Sequence, residues 1–156
     1  MAGSDRRYRT LQRVQRHVID PPVRLVWKVG LTPPGDAELE TTGHRTGERH
    51  RTRICNGLVG STVWLIAQHG RRSDYVRNIE ADPRVRFRTG ARHPWRTGVA
   101  HILDDDDPAE RRRVLEEADG WLRLCLRASH AISTDPLTIR IDLDPPDRVR
   151  PGETPR

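Results

Sequence analysis

The sequence predicts a mainly β fold with flanking helices, an α+β arrangement in which most strands pair as hairpins. Residues 62–67 are T-V-W-L-I-A, a continuous run of β-forming residues, and residues 137–143 alternate strictly as L-T-I-R-I-D-L. Residues 37–43 and 51–59 flank a tight turn with a glycine at each end. Because few helices separate these strands, we expect a small antiparallel barrel and not a doubly wound parallel sheet.

The composition is that of a single basic domain. The chain has 156 residues, a net charge of +6 at pH 7 and only one lysine, Lys28, so that arginine supplies nearly all of the positive charge. No apolar run is long enough for a transmembrane helix, which needs about 18 residues. A basic balance leaves nucleic acid, an anionic membrane and a polyanionic small molecule open as partners.

Cysteine usage and the first residues bear on the compartment. The polar, arginine-rich start lacks the apolar segment of a secretory signal, so the sequence predicts a cytoplasmic protein. Cys55 and Cys125 are far apart and have no C-x-x-C spacing, which favours two reduced, partly buried thiols. A disulfide between them is the alternative.

The chain divides into three segments. Residues 1–36 are predicted to form an N-terminal helix and linker, residues 37–144 the barrel, and residues 145–156 a proline-rich, charged, disordered tail. Apolar residues recur at helical spacing within residues 4–19, with arginines on the other faces. This helix can dock on the barrel, form a mobile arm or make peripheral membrane contact, and the sequence leaves these three options open.

Three further helices are expected. Residues 73–81 form a short helix with Ser73 as its N-cap. The D-P-A-E motif at residues 107–110 has the pattern of a capping box with proline at the first helical position, so a helix should run from it to about Ala118. Residues 121–128 continue as another helix.

The candidate ligand site is the turn within residues 39–52, L-E-T-T-G-H-R-T-G-E-R-H-R-T. Arg45 and Thr46 stand between the two glycines, and Arg51 and Thr52 follow just beyond. Guanidinium groups, hydroxyls and bare backbone N–H groups are the donors that bind a phosphate. A solvated arginine-rich hairpin tip is the alternative interpretation of the same residues.

Common catalytic motifs are missing from the sequence. It contains no G-x-S-x-G elbow, H-E-x-x-H, P-loop or G-x-G-x-x-G. His44, His50 and His69 lie in or near the basic turn and the loop after residues 62–67, but their spacing fits no common zinc site, so we predict no metal. If the protein is an enzyme, a bound cofactor must therefore supply the difficult chemistry.

Three stretches resemble one family in order. Residues 39–52 resemble the L-x-T-x-G-[RA]-[KR]-[ST]-G-x-x-R-x-T-P-L signature of the deazaflavin-dependent nitroreductases, which include quinone and nitro-compound reductases that use coenzyme F-420. Residues 64–70, W-L-I-A-Q-H-G, are similar to the family's strand and glycine loop. Residues 75–85, Y-V-R-N-I-E-A-D-P-R-V, are similar to its W-Y-x-N-L-x-A-x-P-x-V helix and strand.

The resemblance implies a split β-barrel of the FMN-binding type, with coenzyme F-420 in a groove beside the barrel. It implies that residues of the turn and of the strand after it hold the phosphate or the acidic tail of the cofactor. The loop after the buried strand would line the deazaflavin ring, and one residue of the short helix would cap the side of the groove that this loop forms. The implied cofactor-binding residues are Arg45, Thr46, Gly47, Arg51, Thr52, Ala67, Gln68, His69, Gly70 and Asn78.

The implied activity is hydride transfer from the reduced coenzyme to a quinone, a nitro compound or a similar acceptor. His69 is a candidate proton donor, and Trp121 and Tyr75 are candidates for the substrate pocket. Two other functions stay open: an FMN-binding reductase of the same fold, and a non-catalytic basic module that carries a cofactor or binds nucleic acid. The scarcity of aromatic residues for base stacking argues against nucleic acid, and both a monomer and a homodimer remain open.

Overall fold

The computed structural model of the chain describes residues 36–118, 120–130 and 133–145, and gives no account of the side chains of residues 36, 121, 128 and 129. The predicted N-terminal helix and nearly all of the predicted tail lie outside these residues. Both therefore stay predictions.

The described part contains seven strands and three α-helices. The strands are β1 (Asp36–Thr42), β2 (Arg49–Cys55), β3 (Leu58–Val59), β4 (Thr62–Ala67), β5 (Arg84–Arg88), β6 (Arg96–Leu103) and β7 (Leu137–Leu143). The helices are α1 (Asp74–Ala81), α2 (Pro108–Ala118) and α3 (Gly120–His130), and a 3-10 turn, Gly70–Arg72, precedes α1. Among the described residues, no helix has the length and apolar character needed to cross a lipid bilayer.

The strands form one antiparallel sheet in the order β2-β1-β5-β6-β7-β4-β3. Side chains from β1, β4, β5 and β7 meet in a single core, where Leu39, Val63, Phe87 and Ile139 are at most 1% exposed. Because β1 and β4 are distant in the strand order yet share this core, the sheet curls around it as a half-barrel. The predicted antiparallel arrangement is confirmed, and α1 covers part of the same core.

Gly57 interrupts the single strand that was predicted at residues 51–59. A Cβ atom on Gly57 would lie 2.0 Å from the carbonyl oxygen of Trp64, so only glycine allows the two backbones to approach this closely. The backbone N–H of Trp64 donates a hydrogen bond to the Gly57 carbonyl oxygen at 2.9 Å. β2 therefore ends at Cys55, and β3 starts anew at Leu58.

The predicted helix starts are confirmed with one difference. The carboxylate of Asp107 accepts a hydrogen bond from the backbone N–H of Ala109 at 2.9 Å, as a capping residue does. Ser73 occupies the N-cap position of α1, but its side chain makes no capping hydrogen bond.

A disulfide joins Cys55, the last residue of β2, to Cys125 on α3. The prediction of two reduced thiols is therefore wrong, because the fold brings together two cysteines that are 70 residues apart in sequence. The disulfide borders a second, smaller core on the outer side of the sheet. Its members are Leu115, Leu122 and Leu126 from α2 and α3, packed against Cys55, Trp64 and Ile66.

Candidate functional site

The turn between β1 and β2 leaves an arginine available for a ligand. Two backbone hydrogen bonds close the turn: Gly43 N–H donates to the Glu48 carbonyl at 2.7 Å, and Gly47 N–H donates to the Gly43 carbonyl at 2.8 Å. Arg45 is exposed, and it has no ion pair or hydrogen bond with any residue that the structure describes. The space around Gly47 is open, since a Cβ atom there would meet nothing within 4 Å. The turn thus offers a guanidinium and a hydroxyl, that of Thr46, to an anionic group.

Asn78 of α1 holds this turn from below. Its side-chain oxygen lies 3.0 Å from the backbone nitrogen and 2.8 Å from Nδ1 of His44, and its side-chain nitrogen donates to Thr41 Oγ1 at 3.0 Å. Asn78 and Thr41 are both buried, whereas His44 is exposed. The structure therefore brings the predicted residue Asn78 to the base of the turn, where its amide is fully engaged with the chain itself.

The alternation of β2 separates two of the predicted site residues. In the β1–β2 register, Thr52 pairs with the buried Leu39, whereas Arg51 pairs with Glu40 on the opposite face of the sheet. The Nε atom of Arg51 donates to the carboxylate of Glu40 at 3.0 Å. Thr52 consequently lies on the side of the core, and Arg51 lies on the outer face with an ion-pair partner.

Glu40 is the centre of the charge network on that outer face. Its side chain is 2% exposed and accepts hydrogen bonds from Arg49 at 2.8 Å, Arg51 at 3.0 Å and Arg86 at 2.9 Å. Burial by itself raises the pKa of Glu40, but the three guanidinium groups outweigh it and lower the pKa from 4.5 to about 2. Glu40 is therefore ionised at pH 7 and neutralises part of a dense arginine cluster.

Trp95 stacks on the same arginines. The guanidinium carbons of Arg51 and Arg86 each lie 5.2 Å from the centre of its ring, and that of Arg88 lies 4.6 Å away. Sequence reasoning missed both Glu40 and Trp95. A signal was present, since glutamates alternate with the strand period along β1 while arginines do so along β2 and β5, but its use requires the register between strands.

The loop after β4 packs against a second loop of the chain. The carbonyl oxygen of Gln68 accepts hydrogen bonds from the backbone N–H groups of Thr134 at 3.0 Å and Asp135 at 3.2 Å. Gly70 has a φ of +50°, and a Cβ there would lie 2.6 Å from the Asp135 carbonyl oxygen. Ala67 is buried at the end of β4. The structure thus brings the predicted residues of this loop together, with Gly70 required for packing within the chain.

Arg71, next to this loop, is also engaged. It donates to Glu80 at 2.7 Å and to both carboxylate oxygens of Asp104, at 2.7 and 3.0 Å. The 3-10 turn is in this way tied to α1 and to the segment after β6. Arg71 therefore acts as a tether between these three parts.

His69 is buried and neutral at pH 7. Its Nδ1 atom lies 3.0 Å from Thr134 Oγ1, and its side chain belongs to a residue that is only 8% exposed. Burial, and then the positive charge of Arg72, lower the pKa of His69 below its usual 6.5. A proton donor in the imidazolium form would need the opposite shift.

For the variant His69→Leu we expect a loss of about 1–2 kcal/mol in the free energy of unfolding at pH 8, because the partly buried hydrogen bond between His69 and Thr134 is removed. The folded wild type disfavours protonation of His69, so its stability should fall as the pH drops below 6.5, and the variant should lack this component. Urea unfolding between pH 5 and 8 measures both effects. We expect the pH profile of kcat to be unchanged, and loss of one limb of that profile would instead place His69 in proton transfer.

Of the two candidates for the substrate pocket, only Tyr75 has a side chain that the structure describes. Tyr75 is half-buried and packs against the main core, and burial raises the pKa of its hydroxyl group. Trp121 belongs to α3, but its side chain lies outside the described residues. No group of three or more potential metal ligands occurs among the described residues.

A family model for F420H(2)-dependent quinone reductases matches residues 15–144. The chain belongs to this family. Coenzyme F-420 is accordingly the cofactor, and the protein is an oxidoreductase that depends on it. A search of curated protein sequences finds no match.

Comparison with solved structures agrees on the fold. HutZ, the heme storage protein from Vibrio cholerae, has a TM-score of 0.50 and 12% sequence identity, over 81% of this chain and 91% of that chain. An F420-H2 dependent reductase, FDR-A, has a TM-score of 0.48 and 16% identity, over 71% of this chain and 95% of that chain. The half-barrel formed by the sheet, together with the match to HutZ, confirms the predicted split β-barrel.

Proposed function

We propose that this protein binds the anionic part of coenzyme F-420 on the turn between β1 and β2 and reduces a quinone. The observation that carries the proposal is Arg45, an exposed guanidinium without an ion pair among the described residues, in a turn that Asn78 and two glycines hold in shape. Anionic groups bind best to such preorganised donors, because no existing ion pair has to be broken first.

The arrangement of α1 supports an elongated ligand. Asn78 places the anion-binding turn beside the second half of α1, and Gly70–Arg72 precedes its first residue, Asp74. A helix rises about 1.5 Å per residue, so Asn78 lies about 6 Å along the axis from Asp74, and the loop after β4 comes before that first residue. A ligand with a phosphate at one end and a flat ring at the other suits two such patches.

When bound, the coenzyme supplies the hydride. The residues of this chain would bind and orient it: Arg45 and the Thr46 hydroxyl hold the anionic group, and the loop with Gln68 and Gly70 forms a rigid wall. The carbonyl oxygen of Gln68 accepts hydrogen bonds from residues 134 and 135, and Gly70 packs against Asp135, so the loop is held rigidly. Catalysis of this kind rests on positioning.

The test is the variant Arg45→Ala, with Arg113→Ala as its control. Arg113 is also largely exposed, at 70%, but belongs to α2. We expect Arg45→Ala to raise the Kd for oxidised F-420 by about 10- to 100-fold, since a charge-assisted hydrogen bond contributes roughly 1.5–3 kcal/mol. At saturating coenzyme kcat should be unchanged, because such binding is uniform between ground and transition states.

Tryptophan quenching and coenzyme absorbance both report the titration. FMN as a competitor tests the alternative cofactor, and a quinone and a nitroaromatic compound offered in parallel test the acceptor. Equal affinities of Arg45→Ala and Arg113→Ala for F-420 would place the anion site elsewhere. A homodimer, membrane contact through residues 1–36 and a cytoplasmic location stay predictions.

A further inference from the structure

The orientation of the Asn78 amide is fixed by a backbone group. The His44 backbone N–H can only donate, so the Asn78 atom 3.0 Å from it must be the oxygen. The opposite orientation would place two donors against each other. The amide nitrogen then faces Thr41 Oγ1, at 3.0 Å, which accepts its hydrogen bond.

This orientation in turn fixes the proton on His44. The Nδ1 atom of His44 lies 2.8 Å from the same Asn78 oxygen, which has no hydrogen to donate. Nδ1 must therefore carry a hydrogen, and in the neutral ring Nε2 is then the acceptor. Nε2 has no partner within the described part of the chain, and His44 is exposed next to Arg45 in the turn.

We propose that His44 is a specificity-determining residue of the cofactor site, which accepts a hydrogen bond from a ligand hydroxyl through Nε2, and that Asn78 is a positioning residue that acts through His44. The proposal rests on the proposed function, since it places the ligand on the turn with Arg45. Arg45 donates and His44 accepts at neighbouring positions. The pair therefore suits a group that carries an alcohol beside its phosphate.

Burial supports the role of Asn78. Asn78 is 4% exposed, and both polar atoms of its amide are engaged by the chain. A ligand could reach this amide only by displacing Thr41 or His44. The resemblance to the family implied that Asn78 binds the cofactor, whereas these contacts give it an indirect effect.

The first test reads the proton directly. Long-range ¹H–¹⁵N NMR spectra at pH 8 should show the Nδ1–H form of His44 in the wild type, with no coenzyme present. Asn78→Asp retains an oxygen acceptor and should keep this form. Asn78→Leu removes the acceptor, so Nε2–H should dominate, and an unchanged tautomer in Asn78→Leu would overturn the proposal.

The second test is a double-mutant cycle on the Kd for oxidised F-420. His44→Phe should weaken binding about tenfold, the effect of one lost hydrogen bond, and His44→Gln, which keeps an acceptor, should restore part of it. Asn78→Leu alone should also weaken binding, but the double variant should bind no more weakly than His44→Phe. Additive losses would make Asn78 a ligand and would overturn the proposal.

Comparison with Arg45→Ala separates this inference from the proposed location of the coenzyme. If Arg45→Ala weakens binding and His44→Phe does not, His44 has no role and only this inference falls. If neither variant affects binding, the proposed location of the coenzyme falls with it. Should Asn78→Leu fail to fold, the spectra of Asn78→Asp and the titration of His44→Phe decide the question.

Discussion

The variant Glu40→Gln should lower the free energy of unfolding by about 2–3 kcal/mol at pH 7, because it removes the negative charge that three arginines share. The neutral amide still fits the space but leaves Arg49, Arg51 and Arg86 without a counter-charge. The full cost of an uncompensated buried charge is avoided because these arginines are 62%, 56% and 35% exposed and remain partly hydrated.

The effect should depend on pH in a defined direction. The pKa of Glu40 is lowered from 4.5 to about 2 in the folded protein, so the unfolded state binds this proton first as the pH falls. The stabilisation is fully present above pH 4.5 and is lost between pH 4.5 and pH 2, a change of roughly 3 kcal/mol. Glu40→Gln should therefore flatten the acid limb of the stability curve.

Urea unfolding at pH 7 and at pH 3 measures both parts of this expectation. Glu38→Gln is the matched control, since Glu38 lies on the same strand and face but pairs with one arginine, Arg88. We expect a smaller loss at pH 7 for Glu38→Gln, because only one arginine then loses its counter-charge. Unfolding midpoints of Glu40→Gln equal to those of the wild type at both pH values would show that the network contributes nothing to stability.

Local patterns in the sequence were sufficient for most elements. The bounds of β4 and β7 follow from β-forming runs, and the start of α2 follows from Asp107 and the proline after it. Each of these signals lies within a few residues of the feature that it predicts. The break at Gly57 could not be predicted in this way, because its cause is the approach of the Trp64 backbone from another strand.

The candidate site likewise combines features that local sequence predicts with features that depend on contacts between distant residues. The turn with Arg45 between two glycines was evident from the sequence, as was the family to which the chain belongs. The face on which Arg51 lies depends on the pairing register, and the hydrogen bond between Asn78 and His44 joins residues that are 34 positions apart. Motif residues that are neighbours in sequence can therefore have different tasks, one free for a ligand and another occupied by the fold.

Reduction of the disulfide between Cys55 and Cys125 should lower the free energy of unfolding by about 4 kcal/mol. The two cysteines are 70 residues apart, and a cross-link over a loop of that length removes much of the conformational entropy of the unfolded chain. Thermal unfolding with and without a thiol-free reductant measures the loss. Cys55→Ala separates the cross-link from packing, because this variant should have the same Tm in both conditions.

The position of the disulfide also predicts which part of the protein loses stability on reduction. The pair of helices α2 and α3 packs on the outer side of the sheet through Leu115, Leu122 and Leu126, a small core, and through Arg111, which lies 4.0 Å over the ring of Trp64. Because this core is small, α2 and α3 should pack only weakly on the sheet once the cross-link is removed. We therefore expect amide hydrogen exchange in α3 to rise on reduction while β1, α1 and the affinity for F-420 stay unchanged. Equal protection of α3 in both redox states would mean that packing alone holds the helices, and the disulfide would then act only on the unfolded chain.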